Sequence, residues 1–153
     1  MDLICSHISE YNSEHDAELV RMWRAAFEYG VGEKDPHSIA EQIKYLHEQV
    51  LPNHSIRLAW SDRILAGFLA HNSDSVSQLH VRVGMHRQGI GSELLNLAKS
   101  ESTGSLWLFT FQQNRVARSF YEYHGFKATV FGFEPTWQLA DVKYCWQSAQ
   151  IAA

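Results

Sequence analysis

His86, Arg87, Gln88, Gly89, Ile90, Gly91 and Ser92 restrict the fold around them more than any other stretch of the chain. Two glycines one residue apart make a turn, and Ile90, Leu94, Leu95 and Ala98 follow at the spacing of a helix with one apolar face. Residues 75–83, just before it, read as a strand. A strand, a glycine turn and a helix in that order bring several backbone N–H groups together at a helix start. There the dipole and the unpaired donors favour an anion, a phosphate above all. Glycine at 89 and 91 removes Cβ atoms that would hold such a group off. The donors are the N–H groups of Gln88, Gly89, Ile90, Gly91 and Ser92, with Arg87 and the Ser92 hydroxyl offering side-chain contacts. The competing reading is a tight turn that uses glycine for packing only.

A second segment covers 114–126. It reads as a helix with Asn114 at its start, where an asparagine side chain caps, and Gly125 at its end, suited to the left-handed position beyond the last turn. The helix carries Phe120 and Tyr121 side by side. Aromatics on such a helix usually fill the core, so one of the pair is expected there.

Together the two segments resemble the GNAT superfamily of acetyl-CoA-dependent N-acetyltransferases. That family's signature is Gln/Arg-x-x-Gly-x-Gly/Ala after a strand, then Asn-x-x-Ala-x-x-Phe-Tyr-x-x-x-Gly-Phe. Gly89 and Gly91 match the first part; Asn114, Ala117, Phe120, Tyr121, Gly125 and Phe126 match the second. His86 stands where the family has Gln or Arg, and Val81-Arg82-Val83 stands where a typical member reads Val-Asp-Pro. The likeness covers 75–126 by motif and the remainder by element order.

The resemblance implies an α/β fold, one GNAT domain over 1–153, with a mixed, mostly antiparallel sheet of six to seven strands flanked by about four helices. It implies acetyl-CoA as co-substrate, with the pyrophosphate at 88–92 and the pantetheine arm along strand 78–83. An amide-rich arm can pair with an open strand edge through the backbone of Leu79, His80 and Val81. Asn114 and Ala117 would complete the cofactor contacts. Tyr121 is the implied general acid, and Phe120 the one of the pair that the family pattern assigns to the core. A phenol, with a reference pKa near 10 against about 8.5 for a thiol, can share a proton with the leaving thiolate without ionising at neutral pH. The reaction would be direct attack of a primary amine, of a small molecule, in a ternary complex. The alternatives are a protein N-terminal or lysine acetyltransferase, and a catalytically silent acyl-CoA-binding module.

No base stands where relatives keep one, for those positions hold Ser75, Ser77 and Phe109. His80 should point to the other face of its strand by alternation. Glu134, His124 or a chain of waters remain. The family's acceptor site is walled by the segment that here is 23–39, with Glu28, Tyr29, Glu33, Asp35 and His37; several acids suit a cation, and a solvated surface explains them as well.

The rest of the chain bounds these readings. Thirteen Lys and Arg against seventeen Asp and Glu, net −4, give no basic footprint for nucleic acid. No long apolar run suggests a signal peptide or membrane span, and Cys5 and Cys145 read as reduced thiols of a cytoplasmic protein, monomer or homodimer. Nine histidines lack metal-ligand spacing, so no metal is expected.

The remaining elements read as a strand over 3–9 and a helix capped by Ser13, carrying Val20, Trp23 and Phe27 and ending near Gly30 and Gly32. A helix opened by Asp35-Pro36 carries Ile39, Ile43, Leu46 and Val50. Strands follow at 55–60 and 64–70, and later at 106–111, 126–133 and 139–146; on the first of these last three, Trp107, Phe109 and Phe111 share a face, a stripe that core packing explains most simply and that the resemblance would set beside the acetyl group or its floor.

Overall fold

Apolar residues on both faces bury residues 65–71 as a strand, and the sheet grows outward from it. The computed structural model describes residues 7–149. In chain order these hold β1 (His7–Glu10), α1 (Asp16–Val31), α2 (Ile39–Tyr45), β2 (Ser55–Ser61), β3 (Ile64–His71) and β4 (Val76–Val81). Then come α3 (Ile90–Ser100), β5 (Ser105–Phe111), α4 (Arg115–Tyr123), β6 (Lys127–Glu134) and β7 (Leu139–Gln147). Residues 3–6 of the first predicted strand, with Cys5, lie outside the described residues; Cys145 is a free thiol.

The strands form two antiparallel sheets, β1-β2-β3-β4 and β5-β7-β6. One parallel bridge, Ser75 to Trp107, joins them at the start of β4 and β5, and beyond it the two strands make no ladder. This is the α/β architecture the resemblance implies, with seven strands and four helices among the described residues.

Two cores lie on opposite faces. Trp23, Leu19 and Val20 of α1, with Leu46 and Val50 behind α2, pack on Ile56, Leu58, Phe68 and Ala70. Ile90, Leu94, Leu95 and Ala98 of α3 pack on the other face, in a core that runs under both sheets through Leu106, Leu108, Tyr121, Val142 and Tyr144. Leu94→Ala there would cost about 2–5 kcal/mol. Because α1 reaches the second sheet only at the Phe111 end of β5, most of that face of the second sheet is bare. Trp107 and Phe109 are exposed on it, and Phe111 meets Phe27 at 6.0 Å. The aromatic stripe on β5 is therefore not core.

Several local signals differ from the sequence reading. The first cap is Asn12, whose side chain accepts the Glu14 N–H before a short 3-10 turn, and not Ser13. Gly32, at φ 82°, ends α1, while Gly30 lies inside the helix. The second helix opens at Ser38 with a reciprocal Ser38–Glu41 capping box and not at Asp35-Pro36. On β4 the pairing with β3 skips Ser77, so Val76 joins Leu79 and Val81 in the α3-side core. The extra residue breaks the alternation and returns Ser75 to the side of Gln78 and His80.

His80 fills the α1-side face of β4. Its ring stacks on Phe68 at 5.5 Å and lies 6.1 Å from Trp23, and its Nε2 is 2.9 Å from Gln78 Oε1. Burial pulls its pKa down to about 4. An unfolded histidine takes up a proton below its usual 6.5, whereas the folded one stays neutral down to about 4, so stability should fall as pH drops through that window. The loss at this site should be about 3 kcal/mol by pH 4. Urea unfolding across pH 4–7 checks it, and His80→Phe should flatten the dependence.

Candidate active site

Three walls meet where β4 and β5 part, around a cavity of about 930 Å³. One wall is the free edge of β4 with the turn after it, the second is α4, and the third is the C-terminal half of α1. Leu79, His80, Val81, Arg87, Gly89, Ile90, Gly91, Ser92, Asn114, Ala117 and Tyr121 all line it. Gln88 alone of the sequence-derived site residues is not among the lining residues.

The turn holds its shape through left-handed residues: Gly84 at φ 93°, Arg87 at 64° and Gly89 at 85°. Gly89 is the N-cap of α3, and no side chain caps that end. The first-turn N–H groups of a helix have no partner within the helix, so these stand ready for an anion. The two glycines act differently from the simple clearance expected. A Cβ at Gly89 would meet nothing within 4 Å of the protein; it is the backbone angle that requires glycine. A Cβ at Gly91 would lie 3.2 Å from Phe120 Cζ, so this glycine lets α3 and α4 approach. The Ser92 hydroxyl lies 3.0 Å from His124 Nε2, already in a contact within the protein.

Asn114 caps α4, its Oδ1 accepting the Ala117 N–H at 3.1 Å. Its amide nitrogen rests against Gly30 of α1, where a Cβ would come within 2.8 Å. Beside it Gln113 donates to the Val31 carbonyl at 2.5 Å. Sequence reasoning took Gly30 with Gly32 for the helix end; a second glycine two residues short of the real terminator was the available signal for this close approach. The wall from α1 belongs to the segment 23–39 expected at the acceptor site, with Tyr29 among its named residues and Ala26 and Gly30 beside it. Ala26, Tyr29 and Gly30 line the cavity, and His86, in the place of the family's Gln or Arg, stacks on Tyr29 at 5.6 Å.

Tyr121 and Phe120 share the work differently from expectation. Tyr121 is buried among Phe126 at 5.7 Å and Tyr144 at 6.2 Å while still lining the cavity, and burial pushes its phenol well above the ordinary tyrosine range. Phe120 is only partly buried and lies against His124 at 4.6 Å. Below them, Tyr144 donates to Glu122 at 2.6 Å and accepts from Arg118 at 3.0 Å, tying α4 to β7.

The base candidates already have partners. Glu134 accepts the Trp137 N–H at 2.5 Å and holds the β6–β7 turn. His124 lines the cavity with its pKa lowered by burial and by Lys99, but its Nε2 is taken up by the Ser92 hydroxyl. Ser75 is buried, its N–H and hydroxyl both donating to Asn72 Oδ1. In the segment 23–39, Glu28 and Asp35 are also committed, while Glu33 is exposed. Asp35, nearly buried, pairs with His37 Nδ1 at 2.8 Å and faces Arg24 at 3.9 Å, and its N–H donates to Glu28 at 2.8 Å. His37 meets Trp137 at 5.6 Å, and Trp137 meets Phe27 at 4.7 Å. Among the described residues no three His, Cys, Asp or Glu gather as a metal site, and no helix is long and apolar enough to cross a membrane.

The acetyltransferase (GNAT) domain model matches residues 24–137, most of the chain and all three walls of the cavity. The chain belongs to the GNAT acetyltransferase family. Solved structures agree in fold. The apo form of YjaB from Escherichia coli superposes with a TM-score of 0.76 at 20% identity, over 94% of this chain and 98% of that one. The PaiA N-acetyltransferase of Thermoplasma acidophilum, solved with coenzyme A, gives 0.71 at 19%, over 92% and 98%. YncA of Salmonella typhimurium, solved with its cofactor acetyl-CoA, gives 0.69 at 13%, over 96% of each. A search by sequence among curated proteins finds no match.

The cap at Asn114 carries a direct test. Asn114→Ala should lower stability by about 1 kcal/mol, while Asn114→Asp, which keeps the acceptor oxygen, should hold it near wild type. Chemical denaturation at neutral pH measures both.

Proposed function

We propose that this GNAT domain transfers the acetyl group of acetyl-CoA to the primary amine of a small molecule, by direct attack in a ternary complex with Tyr121 as general acid. One observation carries the reading: an uncapped helix start, an unpaired strand edge and a buried phenol open onto the same cavity. Each suits one part of acetyl-CoA. The N–H groups at 89–92 and Arg87 suit the pyrophosphate. The free edge of Leu79, His80 and Val81 suits the amides of pantetheine through backbone alone, since the His80 side chain is taken up by Phe68, Trp23 and Gln78. Asn114 and Ala117 stand across from that edge. The relatives solved with coenzyme A and acetyl-CoA support the same ligand here.

The phenol's raised pKa keeps Tyr121 protonated through neutral and alkaline pH, as an acid toward a leaving thiolate must be. Tyr121→Phe should leave acetyl-CoA affinity near wild type in calorimetry and slow turnover about 10²–10⁴-fold. A panel of small amines, assayed for release of coenzyme A, supplies the acceptor. Release with none of them, beside intact acetyl-CoA binding, would favour a silent binding module.

We assign deprotonation to water and to the amine's own equilibrium, because Glu134 is bonded to the Trp137 N–H and His124, though it lines the cavity, is held by the Ser92 hydroxyl. An alkylammonium has a pKa near 10, and its neutral fraction rises about tenfold per pH unit below that. The rate at subsaturating amine should climb in step, without the falling limb that an ordinary tyrosine would impose near 10. Glu134→Gln and His124→Ala should each change it less than about tenfold; a loss beyond about a hundredfold in either would identify a dedicated base.

A further inference from the structure

Strand β6 is the outer strand of its sheet: β7 takes one edge, and among the described residues nothing takes the other. Seven of its eight residues are exposed, Phe131 by 59% and Phe133 by 62%. Bare edges template further pairing, and proteins usually blunt them with charges or proline. Here Ala128, Thr129, Val130, Phe131, Gly132 and Phe133 carry neither, and charge stands only at the ends, Lys127 and Glu134.

We propose that β6 is the interface of a homodimer, two copies pairing antiparallel about a two-fold axis at Phe131 to make one continuous sheet. The inference is independent of the acetyl-transfer reading. A two-fold that joins antiparallel strands stands perpendicular to the sheet and keeps each face on its own side, so residues brought opposite must already share a face. On a regular strand Lys127 and Glu134 would lie on opposite faces. The pairing with β7 skips Thr129, however, and sets Lys127 opposite Cys145 and Glu134 opposite Leu139. Those β7 partners are an even number of residues apart, so the two charges share a face.

Phe131 pairs with Val142, midway between those partners. A two-fold at Phe131 therefore sets Lys127 of each copy opposite Glu134 of the other, with Phe131 against its own copy at the centre. A slip along the edge leaves the charges opposite apolar residues or beyond the strand, and a parallel arrangement sets like against like. The bulge at Thr129 and the two charges thus select one register.

Light scattering on the intact chain should give twice the 17.6 kDa of one copy. Lys127→Glu and Glu134→Lys each place like charges opposite at both ends and should weaken the dimer at least about tenfold, and the double reversal should restore it. Phe131→Lys, at an exposed position, should give a monomer with unchanged circular dichroism. A single-chain mass for the wild type at about 100 µM overturns the proposal. So does a dimer that tolerates both single reversals, or a double reversal no tighter than the singles.

Discussion

The backbone of β4 has one edge paired with β3 and the other touching β5 through a single bridge at Ser75. Everything else about the cavity follows from that parting. The backbone groups of a strand edge that lines a cavity still need hydrogen-bond partners, so the space beside it must admit water or a molecule rich in amides. The strands are held apart from below. Helix α3 packs under the first sheet, α4 is fastened to β7 through Tyr144, Arg118 and Glu122, and Gly91 lets the two helices meet at Phe120. The opening is a built gap and not a defect of pairing.

The same parting explains which side chains face the cavity with chemistry and which do not. Tyr121 comes from the α4 side, where the shared core desolvates it. His80, though on the strand that forms the edge, turns to the opposite core and stays neutral. Glu28, Asp35 and Glu134, which as a list of residues looked like a cation site or a base, bond to backbone N–H groups or to His37. What the site offers is backbone donors, the buried phenol of Tyr121, and walls of aromatic, histidine and arginine side chains.

Much of this was legible before the fold. The helix after the glycine turn, the cap at Asn114 and the stop at Gly125 are local matters, set by periodicity and by residues suited to one backbone angle. The order of strands and helices followed too. What escaped depends on contacts between distant segments. Gly30 reads as a terminator because nothing local says that Asn114 will lie against it. The bulge at Ser77 is invisible in a sequence that still alternates, and it moved Ser75 to the face of His80. The stack of His86 on Tyr29 joins a turn to a helix far away in the chain. Trp107 and Phe109 of β5 failed as core for another reason: a face is buried only where some element reaches over it, and α1 reaches no further along β5 than Phe111.

The uncapped start of α3 has a thermodynamic side. A side-chain cap is worth about 1 kcal/mol, and α4 has one while α3 does not. The empty protein therefore forgoes part of its own stability at the place where a ligand's anion would supply the missing acceptor. Binding free energy and folding free energy are linked through those N–H groups, because an unfolded chain presents no such cluster of donors. The melting temperature of this domain becomes a gauge of occupancy, rising with the logarithm of free ligand once the site is filled.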